Sequence, residues 1–338
     1  MDIPIVLAYK TAWLVQHTTY FCELQQKILA ADANMTEPNV PSIGISSYSI
    51  TPHSNADTIR NALTAWGIPQ DQLEQIHILV SFAWERPRQK FVTPHAFGRL
   101  LTSENVLPIA EHLLIVAPEV CFAEAATWMS ELELIEYGFE LCGDYSILLD
   151  GTSFERPALT TCAKISKWLD AHSNIPGSKR ARKALRCVKD KSRSPMETAS
   201  CMLITCPRRL GGFQYRNVEL NHRIDIPTGF SRYSSSPYYE LDIYAPRTNV
   251  GIEYDGSDHD EGERRGHDAE RLSTLALMGY TMHVLTKAQF SNQLSLHRAC
   301  NAISASLRLK PCTSAQFQKN QNELRRFVTR RWTSSESK

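Results

Sequence analysis

Tyr239-Glu240-Leu241-Asp242-Ile243-Tyr244 and Val250-Gly251-Ile252-Glu253-Tyr254-Asp255-Gly256 are the two stretches whose reading decides the fold. Each alternates polar and apolar residues, the period of a strand with one buried face. Pro246-Arg247-Thr248-Asn249 lies between them, a set of turn formers. The two stretches therefore read as a β-hairpin, and the apolar pattern specifies its register. Leu241 and Ile243 share a face with Val250, Ile252 and Tyr254 only if Ala245 opposes Val250, Ile243 opposes Ile252 and Leu241 opposes Tyr254. The other face follows: Asp242 opposes Glu253 and Glu240 opposes Asp255. A slip of one residue would scramble both faces.

This register predicts four carboxylates on one face of a ribbon, with directly opposed pairs roughly 4.5–5.5 Å apart at Cβ. Like charges so placed call for protons or a cation. Hard oxygen ligands at this spacing suit magnesium or manganese. Such an ion polarises a phosphate oxygen and generates hydroxide, as phosphodiester hydrolysis requires. Gly251, on the acidic face opposite Tyr244, is expected to leave room for a backbone or substrate.

Downstream, a helix is expected from about His267 to Met278, with Leu272, Leu275 and Ala276 buried and Gly279 as its C-terminal cap. Asp268 and Arg271 are spaced for a local pair that holds helix to sheet. Tyr280 to Leu285 reads as a third strand returning beside the hairpin. Upstream, Ser194-Pro195-Met196-Glu197 starts a helix with a capping box, running to about Thr205 before Pro207. Gly211-Gly212 makes a turn, Asn221 to Ile226 a short strand, and Ser231 to Ser236 a loop.

The string Glu240-x-Asp242, Ile252-Glu253-Tyr254-Asp255-Gly256-x-x-His259, Asp268-x-x-Arg271, Leu275 and Gly279-Tyr280 resembles the PD-(D/E)XK nuclease superfamily. It is most similar to a bacterial domain family of unknown function related to the very-short-patch-repair (Vsr-like) endonucleases. The resemblance covers about residues 190–295, including the entry helix at Ser194-Pro195-x-Glu197. It implies a restriction-endonuclease-like α/β domain, a mixed sheet flanked by helices, that binds magnesium or manganese and cleaves DNA. By the same resemblance Asp242, Glu253 and Asp255 are metal ligands and, with His259, catalytic. Asp255 stands where many members carry a lysine, which leaves the general base open; His259 is the group placed to position or deprotonate the water. Glu197, Glu240, Asp268 and Arg271 are additional site residues.

The rest of the chain reads in support. It has 338 residues, 42% hydrophobic and 22% charged, enough for two or three packed domains. No apolar stretch approaches the ~20 residues of a membrane helix, and the N-terminus lacks the basic start of a signal peptide. The expected location is cytoplasmic. Nine cysteines, with no CxxC pair, read as reduced thiols rather than a zinc site. The formal net charge is only +1, but its distribution is uneven. Eight bases and one acid lie between Pro176 and Ser194, whereas Glu240 to Glu270 carries ten acids and three bases. An acidic pocket with basic segments elsewhere suits a metal site acting on a polyanion. Helices are expected at 158–172 and 178–190, the second presenting Arg182, Arg186 and Lys189 on one face toward DNA.

Residues 1–150 read as a separate α/β or α+β domain of unassigned role, with strands at 76–80 and 112–116. A helix follows Pro118 with Phe122, Ala125, Met129 and Leu132 on one face, stopping near Gly143. Residues 34–54 read as loop. The expected organisation is thus 1–150, a basic helical connector at 151–192, a nuclease-like domain at 193–310 and a basic tail at 311–338. RNA stays open as a substrate, as does the oligomeric state. The competing function is a non-catalytic DNA-binding regulator, antitoxin-like, that keeps a decayed nuclease fold.

Overall fold

The computed structural model describes residues 5–32, 56–87, 89–110, 112–256 and 262–331. The expected loop at 34–54 and His259 lie outside them. The chain divides into two compact α/β units, Met1–Leu185 and Arg186–Lys338.

The first unit is built on a five-stranded mixed sheet. Its strands are β1 (Ile5–Leu7), β2 (Ile76–Val80), β3 (Val92–Ala96), β4 (Val106–Ala110) and β5 (Leu113–Val116), in the order β3-β2-β1-β5-β4. β1 runs parallel to β5 and antiparallel to β2. β2 and β5 match the two apolar runs read as strands. β5 is buried along its whole length, as a continuous apolar run requires of a central strand. Around the sheet lie α1 (Tyr9–Gln16), α2 (Thr19–Asp32) and α3 (Ala56–Ala65).

After β5 come α4 (Pro118–Ala125) and α5 (Glu131–Leu141), where one helix was expected. The break has a local cause. Ser130 accepts the Glu133 N–H while the Glu133 side chain accepts the Ser130 N–H, so a complete capping box starts a second helix. A small hairpin, β6 (Tyr145–Ile147) and β7 (Ser153–Glu155), precedes α6 (Cys162–Ala171) and α7 (Ser178–Leu185). These last two helices correct the expected connector: α6 packs on α4, and α7 on α4 and α5, within the same unit. Arg180 secures the packing, donating to the Ala126 and Met129 carbonyls at 2.5 and 2.7 Å.

The second unit begins its ordered elements with α8 (Pro195–Thr205). Its sheet has the order β11-β10-β9-β8, from β8 (Glu219–Asp225), β9 (Tyr238–Ala245), β10 (Val250–Asp255) and β11 (Thr281–Thr286). β8, β9 and β10 are antiparallel neighbours, and β11 returns parallel to β10 through α9 (Gly262–Leu277). Gly279 has φ +86° and ends the α9 turn, the left-handed position that favours glycine. α10 (Lys287–Ser291), α11 (Gln293–Ser306) and α12 (Ala315–Val328) complete the unit.

α12 corrects the expected tail. It buries Phe317, Leu324 and Val328 and packs on α8 and α11. Gly211, at φ +91°, lies so close to its backbone that a Cβ would sit 2.5 Å from the Asn320 carbonyl oxygen. Among the described residues, no helix is long and apolar enough to cross a membrane. None of the nine cysteines is in a disulfide.

Candidate functional site

The β9–β10 register is the one the apolar pattern specifies: Ala245 faces Val250, Tyr244 faces Gly251 and Ile243 faces Ile252. Leu241, Ile243, Val250 and Ile252 are all buried. Beyond Ile243–Ile252 the strands change partners. The Tyr254 N–H goes to Asp242 Oδ2 at 2.9 Å, so a side chain stands where the ladder would continue. The two opposed carboxylate pairs expected beyond that point are therefore replaced by a different set of partners.

Glu253 is held by Arg271 of α9. Nη1 donates to Glu253 Oε2 at 2.8 Å, and Nη2 donates to Glu253 Oε1 and to the Glu240 carbonyl. One guanidinium thus ties α9 to both strands in the bidentate geometry that suits a carboxylate. Glu240 points elsewhere and pairs with Arg193 at 2.6 Å, whose hydrogen bond lowers its pKa. Arginines, rather than opposed acids, neutralise these two positions. Asp255 ends β10 as an exposed residue. The side chain of Asp268 lies outside what the structure describes.

The carboxyl that feels the charge of Asp242 is Glu197. Ser194 caps α8 as expected, accepting the Glu197 N–H at 3.1 Å. The reciprocal half of the capping box is displaced: Glu197 Oε2 accepts the N–H of Arg193 at 2.9 Å and the side-chain amide of Asn221 at 2.7 Å. Asn221 makes this reach from a left-handed conformation, φ +48°, in the middle of β8. Its neighbours Leu220 and His222 pair with Ile243 and Leu241, which leaves Asn221 beside Asp242.

Electrostatics follows from this geometry. Burial pushes the Glu197 carboxyl up; the Arg193 and Asn221 hydrogen bonds oppose that, and the charge of Asp242 adds to it. Burial likewise raises Asp242, against the Tyr254 N–H and the charges of Arg271 and Arg193. Both groups end above the usual carboxylate range. Among the described residues, no three of Glu197, Glu240, Asp242, Glu253 and Asp255 bring ligand atoms within 4.8 Å of one another.

Other expectations are redrawn. The space over Gly251 is filled: a Cβ there would lie 2.4 Å from Met282 Sδ and 2.9 Å from Leu241 Cδ1. The buried face of α9 is Thr274 and Leu275, while Leu272 and Ala276 face outward. Thr274 Oγ1 donates to the Tyr233 carbonyl at 2.7 Å, and Glu270 Oε1 accepts from Ser235 N and Oγ, so α9 docks on the serine-rich loop. The basic stripe does not form, because α7 ends at Leu185 and carries only Arg182 of the three. Arg182 is engaged with the Leu169 carbonyl and Asp170, while Arg186 and Lys189 follow outside the helix.

Arg193 and Asn221 were not singled out from the sequence. An asparagine within a strand is a signal for Asn221, since asparagine tolerates the left-handed region; its partner 24 positions away gives no local signal. No protein-family model matches this chain, and no curated protein or solved structure matches it.

Proposed function

We propose that the second unit is a metal-dependent nuclease that hydrolyses phosphodiester bonds of DNA, with a restriction-endonuclease-like core similar to the Vsr-like branch of the PD-(D/E)XK superfamily. The observation that carries this reading is that Asn221, beside Asp242 in the β8–β9 register, hydrogen-bonds Glu197. Two half-buried carboxyls from different elements thereby share one neighbour, Asn221, and the charge of Asp242 adds to the rise of Glu197. Burying like charges together is unfavourable and is retained where it serves a site.

The donor set fits a hard divalent cation at Asp242 and Glu197, because both supply carboxylate oxygens and both gain from an added positive charge. Glu253 joins them as a ligand only when Arg271 releases it. Magnesium or manganese bound there would lower the pKa of a water and polarise a phosphate oxygen. The protein's own residues prepare the site. The Tyr254 N–H orients Asp242, and the Asn221 amide and Arg193 N–H orient Glu197. The guanidinium groups of Arg193 and Arg271 supply positive charge beside the acids, suited to holding a phosphate. Asp255, at the end of β10, is assigned to the water-binding side of the site, and the role of positioning or deprotonating the water stays with His259 as an expectation from the sequence.

One observation favours the second reading, a DNA-binding regulator without cleavage: Arg271 already neutralises Glu253. The two readings separate in a plasmid-nicking assay. Supercoiled DNA with magnesium or manganese should be nicked by the wild type, and at least ~100-fold more slowly by Asp242→Asn and Glu197→Gln. Salt-sensitive DNA binding without cutting in either ion overturns the nuclease and establishes the regulator. A parallel single-stranded RNA substrate decides between nucleic acids.

A further inference from the structure

Eight of the nine cysteines are buried, and Cys162 alone is half-buried. Cys162 is the first residue of α6, directly after the cap Thr161, whose hydroxyl accepts the Lys164 N–H at 3.2 Å. Its sulfur lies 3.9 Å from that of Cys142. Cys142 caps the C-terminus of α5; it is 1% exposed and its N–H goes to the Gly138 carbonyl at 3.1 Å. The backbone ties the two chain segments side by side, since the Leu141 carbonyl accepts the N–H groups of Leu159 and Thr160 at 3.0 and 3.2 Å. The sulfur contact is therefore set by anchored backbone on both sides.

A thiol in the interior behaves as a small apolar group and stays inert. Burial pushes up the thiols of Cys22 and Cys121, and that of Cys300 to about 12. Cys162 differs by combining two properties: a small oxidant can reach it from solvent, and a second sulfur stands behind it. A disulfide bond is about 2.05 Å long, so the two sulfurs need to close by about 2 Å, a distance that side-chain rotation covers when the backbones already lie together.

We infer that Cys162 and Cys142 are a reversible oxidation site for hydrogen peroxide, with Cys162 the attacking thiol and Cys142 the resolving one. The Cys162 sulfur attacks one peroxide oxygen. The O–O bond breaks, Cys162 becomes a sulfenic acid, and the departing oxygen leaves as water with the thiol proton. The Cys142 sulfur then attacks the Cys162 sulfur. The S–O bond breaks, the hydroxyl leaves as a second water with the Cys142 proton, and the S–S bond forms. The two thiols together give up two electrons and two protons, which reduce the peroxide. The bond joins residues 20 positions apart and closes a loop that holds the β6–β7 hairpin and Arg156. Oxidation thus fastens that hairpin to the junction of α5 and α6, since a cross-link restricts the chain between its ends.

The test treats the reduced, chelator-washed full-length protein with equimolar hydrogen peroxide and maps its peptides by mass spectrometry without reductant. The wild type should yield a Cys142–Cys162 cross-link that dithiothreitol reverses. Cys142→Ser should instead leave a sulfenic acid on Cys162 that dimedone captures, and Cys142→Ala serves if the serine variant does not fold. Cys162→Ser should consume peroxide at least tenfold more slowly than the wild type. An unreacted wild type, a cross-link between other cysteines, oxidation of wild-type Cys162 to sulfinic acid without the cross-link, or undiminished peroxide consumption by Cys162→Ser overturns the assignment. The wild-type map decides even if no variant folds, and none of these measurements depends on nuclease activity.

Discussion

Replacing Arg271 with methionine tests the clamp that holds α9 to the sheet. The guanidinium makes two charge-assisted hydrogen bonds to Glu253 and one to the Glu240 carbonyl. Its side chain is 22% exposed and that of Glu253 only 14%. Removing one member of a fully buried pair costs about 3–5 kcal/mol, because the other charge is stranded. The residual exposure lets water reach Glu253, so a loss of about 2–3 kcal/mol is expected. For a unit of this size that corresponds to a melting temperature lower by roughly 4–12 °C. Methionine keeps the packing of the aliphatic stem, which separates lost charge from lost contact. The assay is urea denaturation of wild type, Arg271→Met, Glu253→Gln and the double variant. With Glu253 neutralised, removing Arg271 should cost much less, giving a coupling energy of about 2 kcal/mol. A loss below about 1 kcal/mol, or the same loss in the Glu253→Gln background, would refute the clamp.

Three further outcomes are expected. Glu124 is protonated in the fold up to about pH 8, against an ordinary value of 4.5, so its contribution to stability is complete below 4.5 and lost as pH rises through about 8. Wild-type stability should fall across that window with a slope approaching ~1.4 kcal/mol per pH unit, and Glu124→Gln should flatten it in denaturation measured at pH 5 and 8.5. Glu140 behaves oppositely: burial raises it, but His17, then Arg156 and the Ser146 hydroxyl, bring it down to about 2. Its contribution is present above 4.5 and lost as pH falls through about 2, so Glu140→Gln should cost about 2–4 kcal/mol at pH 7 and far less near pH 2. Gly251→Ala should cost about 1–3 kcal/mol by overpacking against Met282 and Leu241, with Met282→Ala restoring most of it in thermal melts.

Much of the second unit was legible as sequence because its determinants are local. Alternation over Tyr239–Asp255 set the β9–β10 register, Ser194-Pro195 set the start of α8, and Gly279 set the end of α9, each through neighbours a few residues away. The buried face of α9 was legible only in part. Leu275 is buried, but Thr274 replaces Leu272 because its hydroxyl has a carbonyl to bond at Tyr233. A helical pattern ranks residues by hydrophobicity and does not register a distant hydrogen-bond acceptor.

What the sequence by itself determined is the order of strands and helices around the acids and the register of their hairpin, since side-chain period, turn residues and caps act over short spans of chain. What only the tertiary structure decided is the pairing of the charges. Opposition along a ribbon placed Glu253 against Asp242. In the fold Glu253 takes Arg271, Glu240 takes Arg193, and the charge of Asp242 acts on Glu197, with Asn221 bracing Glu197 from a left-handed turn of the strand. These partners lie between 18 and 47 positions apart in the chain. Partner choice over such separations depends on how α8 and α9 dock on the sheet, and that docking is settled by the packing of the whole unit.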